Sequence, residues 1–187
     1  TILANYLLKE LTEQGKDAAL VFSMTSIRKT VQEVFKSVLG MDEKVIGPSD
    51  LIKKKYEVLI VDEAHRLNRR KNLANYGNFD KVNQHFGLGN DGDQLDWISK
   101  SADITILFYD SLQSIKPSDI EPKKLQKYIE DSKALVLKLE DQIRIQGGNE
   151  YLEIINNILY QQDSSNLSLN NYEFKIFDEI NEMQELI

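Results

Sequence analysis

Residues Tyr56–Leu67 read YEVLIVDEAHRL. Val58, Leu59, Ile60 and Val61 are β-prone and show no polar alternation, which is the pattern of a strand buried on both faces of a parallel sheet. The run stops at Asp62-Glu63, so two carboxylates stand where the strand leaves the sheet. In open α/β sheets, ligands bind along that carboxyl edge. One carboxylate there can hold Mg2+ while its neighbour positions or deprotonates a water. An apolar strand followed by Asp-Glu is the Walker B pattern of a nucleoside triphosphatase, and Ala64-His65 completes the DEAH form. A buried strand ending in two solvated acids would give the same tetrapeptide; the four apolar residues before it favour Walker B.

The rest of the chain bounds what such a strand can belong to. At 187 residues, one domain or one and a fraction is expected. A hydrophobic content of 41% with 28% charged residues is that of a globular chain and argues against a disordered one. No apolar run is long enough to span a bilayer and no signal-peptide pattern is present, so no membrane partner is expected. The chain has no cysteine, which excludes disulfides and thiolate metal sites and suits a reducing cytoplasm, the expected compartment. Net charge is −7, and residues 148–187 carry all of it, with eight acids against Lys175. The acidic end is a poor nucleic-acid surface, whereas the neutral remainder can still carry a local basic patch.

In chain order, Thr1–Gly15 has apolar residues at helical spacing and a glycine at its end, so the chain starts in a helix with no strand before it. A P-loop ends in Gly-Lys-Ser/Thr and opens a helix at once, so Thr1 is either the Mg2+-binding hydroxyl of such a loop or a helix cap. Asp17–Ser23 reads as the next buried strand. Met24, Thr25 and Ser26 follow at its carboxyl end, where small hydroxyls suit phosphate contacts or capping equally, and Ile27–Leu39 reads as an amphipathic helix. Val45–Ser49 reads as a turn and Pro48–Lys55 as a short helix. Arg66–Asp93 reads as a long polar loop in which Arg66, Arg69, Arg70, Lys71 and Lys81 alternate with Tyr76, Phe79, His85 and Phe86. That composition fits phosphate and base contacts, or an ordinary surface excursion anchored by its aromatics. His65 and His85 are too few for a metal site.

Gln94–Lys100 is expected to be helical with Trp97 inward. Asp103–Asp110 reads as a third buried strand ending in an acid, with Gln113 just beyond it, where a glutamine can sense a γ-phosphate or orient a water. Ser118–Ser132 reads as a helix capped by Ser118, and Ala134–Leu139 as a fourth strand. Arg144 follows; a guanidinium across a cleft from Walker B can stabilise a transferred phosphoryl group, and a surface ion pair is the plainer account. Asn149–Gln162 is expected to be helical, Tyr172–Phe177 a strand and Asp178–Ile187 a helix. The alternation predicts an α/β three-layer sandwich with a mostly parallel sheet.

Four stretches in this order resemble the motor domain of superfamily 1 helicases and, more closely, the bacterial ATPase family described as Schlafen-group-3-like DNA/RNA helicase domains. LVFSMTSIRKTVQEVF is similar to motif Ia, VIGPSDLIKKKYEVLIVDEAHRL to the Walker B region, ITILFYDSLQSIKPSDI to motif III and LEDQIRIQGGNEYLEIINNIL to motif IV. The resemblance covers nearly the whole chain. It implies a RecA-like P-loop NTPase core over residues 1–138 and the start of a second RecA-like lobe over 139–187, with ATP and Mg2+ as cofactors and DNA or RNA as partner.

The resemblance also assigns roles. Asp62 and Thr1 would bind Mg2+, Glu63 would act on the attacking water, and Gln113 would couple γ-phosphate state to the nucleic-acid side. Arg144 would be an arginine finger, Asp110 would lie at the nucleotide, and Thr25 and Ser26 would lie near the nucleic-acid backbone. The basic loop adds Arg69 and Arg70 as candidate nucleic-acid contacts. The Walker A glycines and lysine and the strand before them are not in this sequence, and motifs V and VI are not recognisable. The expectation is therefore a core truncated at the P-loop, part of a larger enzyme and nearly inactive by itself, since that loop supplies most phosphate contacts. The alternatives are a nucleotide-gated switch that never unwinds anything, or a degenerate interaction module.

Overall fold

The computed structural model describes residues 2–39, 44–110, 113–139, 148–160, 175 and 177–186. The chain divides into two units, Thr1–Ala134 and Leu135–Ile187. The first contains four strands: β1 (Ala18–Val21), β2 (Val45–Ile46), β3 (Tyr56–Val61) and β4 (Ala102–Leu107). They form one sheet in the order β2-β1-β3-β4, parallel throughout. Leu20, Ile60 and Ile106 stand in one row across it.

The unbroken apolar run in β3 has a direct structural cause, because both of its faces are covered. On one face, Leu20, Val58 and Ile60 pack against Ala4 and Leu8 of α1 (Ile2–Glu13) and against Val31 and Phe35 of α2 (Thr25–Leu39). On the other, Val21, Leu59 and Val61 meet three helices. These are α3 (Tyr76–His85) through Phe79 and Val82, α4 (Gln94–Ser101) through Leu95, Trp97 and Ile98, and α5 (Pro122–Asp131) through Leu125. The result is a helix–sheet–helix sandwich. Leu59 and Ile60 are fully buried, which contributes about 1.5–3 kcal/mol each. A charged residue at either position would meet only apolar neighbours.

Local signals set several boundaries. Gly15, at φ 75°, ends α1 in a Schellman motif: its N–H donates to Thr12 O, and Lys16 N–H donates to Leu11 O. Asp93 caps α4 by accepting from the N–H groups of Leu95 and Asp96, while Asp96 accepts from Asp93 N–H.

Other expectations are corrected. The long loop after Arg66 contains α3, which Asn75 caps by accepting from Asn78 N–H at 3.0 Å. Val45-Ile46 is a strand, because it pairs with Leu20 and Val21, and Pro48–Ile52 is a 3-10 turn. Ser118 caps nothing: α5 starts at Pro122, whose missing N–H costs least in the first helical turn. β4 is an edge strand of the described sheet, with Ile104 58% exposed, so it is not buried on both faces as its sequence implied. Ala134–Leu139 is no strand. It has no ladder partner among the described residues, and Leu135, Val136, Leu137 and Leu139 are exposed.

In the second unit the described helices are α6 (Gly148–Leu159) and α7 (Ile180–Leu186). The strand expected at Tyr172–Phe177 lies almost wholly outside the described residues. No helix among the described residues is long and apolar enough to cross a membrane.

Candidate functional site

Because the sheet is parallel, β1, β3 and β4 all deliver their following residues to one edge. Asp62 leaves β3 there, 2% exposed, with its N–H donating to Val21 O of the neighbouring strand. Glu63 then takes φ 54° and ψ 47°, the left-handed conformation. A residue with a Cβ adopts this conformation only at a cost, and such residues concentrate at functional sites. The turn is held by its surroundings. Ala64 N–H donates to Phe108 O at 2.7 Å, Phe108 N–H donates to Val61 O at 2.9 Å, and Arg66 N–H returns to Glu63 O at 2.8 Å. Residues Ala64–Arg66 form one 3-10 turn.

His65 stands between the Glu63 side chain and the Asp110 backbone. It is 2% exposed, and its Nδ1 accepts from Asp110 N–H at 3.3 Å. In the neutral ring that leaves the proton on Nε2. Nε2 lies 2.9 Å from Glu63 Oε2, but the carboxylate sits off the N–H axis, so the two are in close contact without a directed hydrogen bond. Asp110 in turn accepts from Gln113 Nε2 at 2.8 Å. The tilted ring of Tyr109 lies 6.3 Å from His65; burial raises its hydroxyl pKa, and the adjacent Asp110 adds to the effect. His65 therefore touches Glu63 on one side and is bonded to the Asp110 backbone on the other, while the Asp110 carboxylate is bonded to Gln113, so the four residues form one contact cluster from the acid after β3 to the glutamine after β4.

Thr25 and Ser26 stand exposed in the first turn of α2, at the same edge, beyond β1. Arg69 and Arg70 are engaged within the chain. Arg69 donates to Pro117 O and pairs with Glu121. Arg70 grips Asp80 with two hydrogen bonds, at 2.7 and 3.0 Å, and its guanidinium lies 5.0 Å from the Tyr76 ring centre. Thr1 and Arg144 lie outside the described residues.

Two residues that the sequence reading did not single out belong to this edge. His65 was noted only as part of the DEAH string and as a weak metal ligand. Asp119 had no signal at all, yet it is 3% exposed and bonded to Arg66. Its importance comes from a partner 53 residues away, which no local pattern reports.

Among the described residues, no three metal-ligating side chains converge.

Searches among curated proteins and among solved structures found no match. The whole chain, residues 1–187, matches the family described as Schlafen group 3, DNA/RNA helicase domain, and the protein belongs to that family.

Proposed function

We propose that this chain is the core of an ATP-dependent helicase- or translocase-like enzyme, in which ATP hydrolysis is coupled to closure of two lobes on DNA or RNA. The observation that carries the proposal is the cluster of Glu63, His65, Asp110 and Gln113 at the carboxyl edge, beside the buried Asp62. The bound nucleotide and Mg2+ would supply the phosphoryl group and its charge neutralisation. Asp62 would hold the cation, and Glu63 would orient a water and take its proton. His65 lies between Glu63 and the Asp110 backbone, and Gln113 would sense the γ-phosphate. In this reading Thr1 completes the Mg2+ site and Arg144 acts as the finger. Thr25 and Ser26 would meet the nucleic-acid backbone; Arg69 and Arg70 would have to leave their intramolecular pairs to do so.

The test is Mg-ATP turnover, with and without single-stranded DNA and RNA, by this chain and by a longer chain that includes a P-loop, the activity being expected in the longer one. Glu63→Gln should abolish turnover while nucleotide binding persists. Hydrolysis at near wild-type rate in that variant would remove Glu63 as the base. The rival reading, a nucleotide-gated switch that grips a partner without unwinding, draws on the pairing of Arg69 and Arg70 and on the acidic end of the chain. Turnover that no nucleic acid stimulates would favour it.

A further inference from the structure

Asp119 lies buried in the loop that carries Gln113, against the segment that follows Glu63. A single oxygen, Oδ2, accepts three hydrogen bonds: from Arg66 Nη1 at 3.1 Å, Ile115 N–H at 3.1 Å and Lys116 N–H at 2.9 Å. The backbones are paired as well. Ile120 N–H donates to Leu67 O and Arg69 N–H to Ser118 O, both at 2.8 Å, around an antiparallel bridge between Asn68 and Asp119. Leu67 and Ile120 are both core residues, so this junction is anchored in the first unit's interior. Arg66 closes the same 3-10 turn that Glu63 opens. The carboxylate therefore folds the Gln113-bearing loop onto itself and fastens it, through Arg66, to the turn that holds Glu63.

We propose that Arg66 and Asp119 are a positioning pair: they fix the distance between the water-activating acid and the glutamine, so that a change at one is felt at the other. The proposal rests on the roles given above to Glu63 and Gln113. Adhesion alone does not call for the ion pair, because the backbone bridge and the Leu67 and Ile120 side chains already join the segments. Buried ion pairs add little net stability over apolar residues of equal size, but they do constrain geometry. A planar guanidinium on a buried carboxylate oxygen sets a position and an angle, and the two backbone N–H groups make the loop's conformation depend on the same oxygen.

The experiment uses Asp119→Asn in the intact protein, with Arg66→Lys as the second variant should the first misfold. Two readouts are needed. In hydrogen exchange, amides of Ile115 and Lys116 should exchange at least about tenfold faster in Asp119→Asn, one decade being about 1.4 kcal/mol of lost protection. In nucleic-acid-stimulated turnover, kcat should fall roughly tenfold to a hundredfold, the scale of an ångström-sized misplacement, with nucleotide affinity retained. In addition, Asp119→Asn combined with Gln113→Ala should be no slower than Gln113→Ala alone, because both remove one function. Unchanged exchange would overturn the pair as a latch, whatever the protein hydrolyses. Faster exchange with rate losses that multiply would overturn its positioning role. Absence of turnover in the unsubstituted longer chain that includes a P-loop would instead sink the ATPase reading, and the exchange comparison would still decide the latch.

Discussion

Glu63 gives the sharpest test of how the candidate site is built. At φ 54° and ψ 47° its Cβ crowds the backbone, at a cost of about 1–2 kcal/mol. Glycine removes that cost but gives up about 0.5–1 kcal/mol of extra freedom in the unfolded chain. Alanine keeps the Cβ, and both substitutions remove the carboxylate and its contact with His65. Comparing Glu63→Gly with Glu63→Ala therefore isolates the backbone, and glycine should be the more stable by roughly 0.5–1 kcal/mol, the difference of the two terms. The assay is urea unfolding followed by the fluorescence of Trp97, the chain's one tryptophan and fully buried. The same pair of substitutions at Asn72, exposed and at φ 50°, is a control outside the site and should show the same ordering. Alanine equal to or more stable than glycine at position 63 would refute the strain. If the ordering holds, Glu63→Gly will stand with better backbone geometry and no turnover, the trade expected where an active site holds a strained residue.

Other expectations follow from named contacts. Asn83 accepts from Trp97 Nε1 at 2.6 Å and donates to the buried Gly92 O at 3.1 Å; Asn83→Ala orphans both groups and should cost about 2–6 kcal/mol at 1–3 kcal/mol each. A loss below 1 kcal/mol in denaturant unfolding would show that water replaces them. Lys54 donates to both oxygens of Asp17, at 2.8 and 2.9 Å, and this holds the Asp17 carboxyl below its usual range against an opposing push from burial. A carboxyl depressed in the folded state contributes stability above its unfolded pKa and loses it as pH falls through the folded one. Lys54→Met should therefore flatten the stability–pH curve below about pH 4, and an unaltered acid limb would count against the pairing.

The sequence by itself determined the sandwich and the strand whose carboxyl end carries the acid pair. Four β-prone residues without alternation can be satisfied only by cover on both faces, and an acid pair directly after them must emerge at the carboxyl end. The helix end marked by Gly15 was legible for the same reason, since its hydrogen bonds close within a few residues. The tertiary structure decided what depends on distant partners. An edge strand and a central strand have the same apolar composition, so only the sheet order set β4 at the rim and left Ile104 exposed. Ala134–Leu139 is equally β-prone, yet a strand exists only where a neighbour supplies a ladder. Arg69 and Arg70 looked like a basic surface until Glu121 and Asp80 met them. The left-handed turn at Glu63, the His65 link to Asp110 and the Arg66–Asp119 pair all join residues that leave different strands. They are consequences of parallel strands ending side by side, which fixes their geometry through pairing register and not through any residue's own preference.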